Sequence, residues 1–420
     1  MAKTAPVDPK SVEIGRRARL IRRRRGLSQN VVAGLAGFTD GYLSMLETGK
    51  RAFQRHSLIE NLARALGCSV TDLTGEPYLP VSPAIADAMA VLPAIRESIY
   101  DSALDDPPDR PARSLVELQR WVKQAHQYVD QDRYGLAGRE LESLLAELHV
   151  HAASDNADIQ RAALAALVEA CHIVCVIAWT TGCSDFGLAV ATREYEAAVR
   201  LDDPVALGLA RFARAISWTG VGARRRAETM NEVALAGLQP VADPSAADTG
   251  VAEMLGINHL YAAKLTARTG RADIAHDHLG EARVLAERTG ECNTAMQHFG
   301  PTNVELWTLA VGVNLGEGPR AYERAHPDRI NIDCLNSRVR TGFYHLDLAR
   351  ALAQDGGGRD GEAIRHLDLA DRTAPVLVRG NTIARELLIE LSQRARRRVW
   401  ELDSLCNRFG VNEERSGRST

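Results

Sequence analysis

Apolar side chains recur at three- and four-residue spacing along almost the whole chain, and Val, Ile and Thr never alternate with polar residues long enough to demand a sheet. Near the start, Ile14, Ala18 and Ile21 mark one face of a helix whose outward positions are rich in arginine. Gly26 ends it, because glycine reaches positive φ without steric cost. Ser28 can cap a second helix striped by Val32, Leu35 and Ala36, and Gly37-Phe38 makes a tight turn. Thr39 can cap a third helix, about Asp40 to Glu47, with Leu43 and Leu46 inward. After the break at Thr48 to Arg51, Ser57 opens another helix bearing Leu58, Leu62, Ala63 and Leu66. Pro77, Pro80, Pro83 and Pro93, then Asp105 to Pro111, interrupt the pattern twice and bracket one short helix, roughly Pro83 to Leu104. Long helical periodicity then runs from Leu115 to about Phe409.

Charge divides the chain in the same place. Through Gly75 there are 13 basic residues against six acidic ones, which leaves 38 basic and 48 acidic among the 51 and 54 of all 420 residues. A small basic head on a large acidic body suggests a module for polyanions carried by something else. Two short helices about a glycine-containing turn, within a compact basic set, have the spacing of a helix-turn-helix. The residues Ile14-Gly15, Arg19, Arg22, Gly26 to Gln29, Val32-Ala33, Gly37, Tyr42 to Ser44, Leu46-Glu47, Gly49 to Arg51, Leu62-Ala63, Ala65-Leu66 and Leu73 carry a closer likeness. This run resembles the DNA-binding domain of the Cro and phage-repressor (XRE) family, without a gap.

That resemblance implies a five-helix head over residues 10–75 and roles within it. Gln29, at the second helix's N-terminus, would bond a phosphate. Thr39, Asp40, Gly41, Ser44 and Met45 would face base edges in the major groove, while Tyr42, Lys50 and Arg51 would reach the backbone. Arg22 and Glu47 occupy positions that pair structurally in the family. Asp40-Gly41 departs from the family's longer polar side chains there, so the operator sequence is not readable.

The body repeats. Gly270, Ala275, Leu279 and Ala282 stand at offsets of 5, 9 and 12, with Ala263 upstream; Gly358, Ala363, Leu367 and Ala370 follow Ala351 at the same offsets. Gly222, Ala227, Asn231 and Ala234 follow Ala215 likewise, and Ala191-Tyr195-Ala198 and Ala137-Leu141-Leu144 repeat parts of it. Small residues at fixed positions let paired helices pack closely, and this resembles degenerate tetratricopeptide (TPR) repeats. The expected architecture is all-α: a helix-turn-helix domain, a Pro-rich linker with a short helix over 76–112, a TPR-like α-solenoid over 113–410, and a disordered tail over 411–420. The last helix, about Thr382 to Phe409, caps the stack or pairs with its mate. Solenoids present concave surfaces, and Asn258, Asn303 and Asn336 are candidates to hold an effector there, since asparagine both donates to and accepts from a peptide backbone.

No phosphate-cradling Gly-x-x-x-x-Gly-Lys loop and no His-Glu-x-x-His motif occurs. Gly356 to Gly361 fits Gly-x-Gly-x-x-Gly but has no strand before it, and is read as an interhelical turn. Cys171, His172, Cys175 and Cys183 form the one metal-like cluster in the sequence, on a strongly apolar segment where packing outweighs ligation. No enzyme, cofactor or metal is expected. Seven cysteines without an apolar leader suit a reduced cytoplasmic chain, and no uncharged apolar run approaches a membrane span. The expected function is a homodimeric, DNA-binding transcription regulator that meets double-stranded DNA through its head and a peptide or small-molecule effector through its body. The alternative is a DNA-localised adaptor whose body recruits a protein.

Overall fold

A computed structural model describes residues 9–53, 56–66, 68, 73, 83–243, 247–395 and 399–411. The described residues are helical throughout, with no strand among them. The chain divides into two compact units, Met1–Pro80 and Val81–Thr420.

The first unit holds α1 (Pro9–Arg24), α2 (Gln29–Ala36), α3 (Asp40–Glu47) and α4 (His56–Leu66). Ser28 caps α2 by accepting from the Val31 N–H, and Gly37 closes it at φ 71°. Thr39 caps α3 by accepting from the Tyr42 N–H. Ile14, Ala18, Val32, Leu43, Leu62 and Leu66 make the core. The expected fifth helix lies outside the described residues except for Leu73, which is buried in this same core.

The second unit begins earlier than the sequence suggests. The single helix expected in the linker is two, α5 (Pro83–Ala90) and α6 (Leu92–Asp101), with Pro93 in the first turn of α6 where its missing N–H is harmless. Ile85, Leu92, Ile95 and Ile99 are buried in the body core, so this segment is part of the body and not a spacer. There follow α7 (Leu115–Asp130), the short α8 (Tyr134–Gly138) and α9 (Leu141–Ala152). Antiparallel hairpins come next: α10 (Ala157–Thr180) with α11 (Ser184–Leu201), and α12 (Pro204–Gly220) with α13 (Arg224–Leu238). They continue with α14 (Gly250–Ala267) and α15 (Ala272–Thr289), α16 (Pro301–Asn314) and α17 (Gly318–Arg324), and α18 (Arg338–Ala353) and α19 (Asp360–Thr373). The chain ends with α20 (Pro375–Gly380), α21 (Thr382–Arg394) and α22 (Trp400–Phe409), so the long terminal helix expected from the sequence is interrupted. Of the expected tail, residues 412–420 lie outside the described residues.

The small residues of the repeat are where the helices meet: Ala215, Ala227, Ala263, Ala275, Ala351 and Ala363 have no exposed surface. One helix, α10, is long and apolar enough to cross a membrane by length and composition, against the sequence expectation. It is packed against α7, α9, α11 and α12 with most of its apolar side chains buried, and its apolarity is that of a core.

Candidate DNA interface and effector cavity

In the first unit, α1 and α3 approach so closely that a Cβ on Gly15 would lie 2.0 Å from the Leu46 carbonyl oxygen. Arg22 of α1 locks that contact: Nε and Nη2 donate to the two Glu47 oxygens at 2.6 and 2.8 Å, and Nη1 donates to the Leu27 carbonyl at 3.0 Å. The Glu47 hydrogen bond raises the Arg22 pKa against its burial. With α3 so held, Thr39, Asp40, Gly41 and Met45 are exposed along its front, and Tyr42 and Ser44 are half-buried. The Arg51 guanidinium stands 4.8 Å from the Tyr42 ring centroid, and Lys50 is exposed beside it. Arg16 and Arg17 are both bonded to Glu13, whose carboxyl those hydrogen bonds lower to about 2.

In the second unit, the first helices of successive hairpins surround a cavity of about 420 Å³. Trp179, Phe212, Tyr261, Trp307, Phe343 and Tyr344 supply aromatic wall. Leu377 and Gly380, from α20, stand in the same wall as Asp130 at the end of α7 and Tyr134 at the start of α8. Asp132 makes that closure: its carboxylate accepts from the Val376 N–H at 2.8 Å and the Leu377 N–H at 3.0 Å.

Three side chains form a polar corner. Asp130 accepts from His298 Nε2 at 2.8 Å and from Ser337 Oγ at 3.0 Å, and His126 Nε2 lies 3.5 Å from its other oxygen. Burial holds His126 down to about 4, so it is neutral at pH 7. Burial works most strongly on the Asp130 carboxylate, but the His298 bond together with the charges of His298 and His126 and the Ser337 bond keeps that carboxyl below the usual range. The three donor sets lie within 4.8 Å of one another and could meet on one ion, although the Arg340 guanidinium acts on His126 and opposes added positive charge. The loop carrying His298 is strained, with Met296 at φ 56° and His298 at φ 50°. Three cations line the space, Lys264, Arg268 and Arg340, of which Arg268 is exposed. The Lys264 ammonium sits 5.4 Å from the Trp307 ring centroid, and burial pulls it down to about 8. Arg340 donates to the Gln297 carbonyl at 2.9 Å, and burial lowers its pKa too.

Residues 13–74 match the family model described as a helix-turn-helix domain. The first unit is a helix-turn-helix DNA-binding domain. No curated protein matches the chain. Among solved structures it is similar to Bacillus thuringiensis PlcR in complex with the peptide PapR7 and DNA, at 12% identity and a TM-score of 0.27, over 66% of this chain and 95% of that one.

The helix-turn-helix domain gathers Thr39, Asp40, Gly41, Tyr42, Ser44 and Met45 on α3, with Lys50 and Arg51 just after it. Gln29 is partly engaged inside the protein, its Nε2 donating to Glu47 at 3.0 Å, and Asn30 reaches Asp40 at 3.1 Å. The three asparagines proposed for the effector do not come together. Asn303 lines the cavity, whereas Asn258 is buried against Asn231 and the Met254 carbonyl, and Asn336 is an exposed residue ending a 3-10 turn at φ 44°. Sequence reading missed Lys264, Arg340 and the His126-Asp130-His298 corner. No spacing signals them, since the partners are 168 residues apart at the His298–Asp130 bond. Cys171 and Cys175 are fully buried with thiols pushed well up by burial, and His172 is bonded to Glu194 at 3.2 Å, which leaves that cluster a core feature.

Proposed function

We propose that this protein is a sequence-specific transcription regulator that reads duplex DNA as a homodimer and is switched by an effector held in the cavity of its helical body. The observation that carries the reading is the pairing, on one chain, of a helix-turn-helix domain with a roomy interior cavity lined by aromatic and charged side chains. In the helix-turn-helix domain, Thr39, Asp40, Gly41, Ser44 and Met45 meet base edges. Gln29, Tyr42, Lys50 and Arg51 meet phosphates. One such domain makes few phosphate contacts, and two heads on half-sites about one helical turn apart give usable affinity. An effector that prefers one state of the body shifts the population of DNA-competent dimers by no more than that preference. The cavity favours this reading over a protein-recruiting adaptor, and the work it assigns is binding, not catalysis.

Footprinting of the purified chain on the DNA upstream of its own gene tests it. Two protected half-sites about 10 base pairs apart, with affinity falling steeply as salt rises, are expected. Equal binding to unrelated duplexes at every salt concentration overturns sequence-specific reading.

A further inference from the structure

The charges in the cavity do not balance within it. Asp347 is taken by Arg350 at 2.6 Å, and Asp130 by His298 and Ser337. Neither Lys264 nor Arg340 stands in an ion pair among the described residues: Lys264 lies on the face of Trp307 with the Asp347 charge acting from further off, and Arg340 bonds one carbonyl oxygen with Asp130 acting likewise. The two cations are near enough that Arg340 is among the charges acting on Lys264. Two positive groups set in an interior with so few partners are costly unless something anionic joins them. A second, independent feature points the same way. Asn303 is 1% exposed, its Nδ2 donates to the Gln297 carbonyl at 3.0 Å, and that bond fixes its amide so that Oδ1 is left buried without a partner on the cavity wall.

We infer that the effector is a small organic acid, its anion placed between Lys264 and Arg340, its apolar body against the aromatic wall, and a hydroxyl or N–H group donating to Asn303 Oδ1. The volume of about 420 Å³ suits a compact molecule. The Asp132 closure brings Leu377 and Gly380 round to meet Asp130 and Tyr134 in one wall, against which the apolar body of such a molecule can rest. The inference rests on the cavity being the effector site, and it adds the ligand's chemistry.

The test uses the full chain with 1-anilinonaphthalene-8-sulfonate as a fluorescent anionic probe. Displacement is compared for 2-naphthoate and 2-naphthalenemethanol, which share a ring system and differ in charge. Saturable probe binding is expected, with naphthoate displacing at tenfold or lower concentration than the alcohol. Lys264→Met should raise the naphthoate concentration required about tenfold and leave the alcohol's unchanged, while Lys264→Arg retains the wild-type value. Lys264→Met should also melt at a higher temperature than wild type without ligand, because it removes a poorly neutralised buried charge, and this separates lost binding from lost fold. Equal displacement by acid and alcohol overturns the inference, as does no saturable binding or a Lys264→Met chain that binds naphthoate normally. Displacement by the tripeptide Leu-Leu-Phe at a hundredth of the naphthoate concentration overturns it in favour of a peptide. DNA affinity measured in the same samples separates the two readings. Naphthoate bound at Lys264 without any change in DNA affinity upholds the acid site and refutes the effector switch.

Discussion

Glycine at position 15 sets the geometry of the DNA-binding helix, since any side chain there would meet the Leu46 backbone and force α1 and α3 apart. Arg22 and Glu47 then fix the same pair of helices by an ion pair nearly out of contact with water. Arg22→Ala leaves Glu47 buried with only the Gln29 amide, which should cost about 3 kcal/mol. A thermal melt of residues 1–80 should therefore drop far more for Arg22→Ala than for Arg23→Ala, and equal melting temperatures would remove the claimed lock. The recognition surface makes a different demand. Lys50→Ala and Arg51→Ala should each weaken binding to all duplexes alike and lower the salt slope by about 1, whereas Ser44→Ala should alter the preference among operators. Competition binding on a randomised operator library distinguishes the two classes. Arg22 and Glu47 could be named from the motif because both lie inside one short contiguous pattern. The engagement of Gln29 by Glu47 could not, because a glutamine at a helix N-terminus looks the same whether it faces a phosphate or a neighbouring carboxylate.

At the scale of elements, the hairpins share one chain-reversal device. Gly182, Gly222, Gly270 and Gly316 all sit at positive φ, and the next residue's N–H bonds a carbonyl five back: Cys183 to Ala178, Ala223 to Trp218, Arg271 to Thr266 and Glu317 to Gly312, at 2.8 to 3.1 Å. Such a cap needs the left-handed conformation, and Gly270→Ala should destabilise the body by about 1 to 2 kcal/mol. Gly280→Ala, in mid-helix with nothing within 4 Å of the added methyl, should instead stabilise it by about 0.5 to 1 kcal/mol. Opposite shifts of the urea midpoint are the expected result, and a shared direction refutes the assignment of the turn. Gly222 and Gly270 were legible because alanine follows at offsets of both 5 and 12. Gly182 and Gly316 were not, because Glu194 and Asp328 stand at offset 12 where the second alanine would be. In the α18–α19 turn, Gly356 and Gly357 take the positive φ in place of Gly358, so the offset there fell on the wrong glycine.

At the scale of the whole molecule, helical class, the basic head and the repeating body could be read from residues a few positions apart. The cavity could not, because its walls draw on residues from His126 to Asn381 that meet only through stacking and the Asp132 closure. The same enclosure gives the body a definite response to acid. Burial lowers His126, His149, His259 and His366 to about 4, and lowers His278 and His345 as well. Burial raises Asp132 to about 6 and also raises Glu169 and Glu194. The two groups oppose each other. An imidazole lowered from 6.5 stabilises the fold above pH 6.5, and that contribution is lost as pH falls towards 4. A carboxyl raised from its ordinary value stabilises the fold at low pH and loses that contribution as pH rises through its folded value. At pH 5 the four imidazoles held at about 4 take up protons on unfolding against Asp132, which releases one, so the unfolded chain binds more protons and stability drops as pH is lowered. The urea midpoint of the body, followed by tryptophan fluorescence, should be lower at pH 5 than at pH 7.5. Because all five tryptophans lie beyond residue 120, the helix-turn-helix domain does not enter that signal. His149→Gln, at a fully buried ring, should narrow the gap between the two midpoints. A gap unchanged by that substitution, or a midpoint that rises on acidification, would refute the claim that neutral buried histidines govern the acid limb.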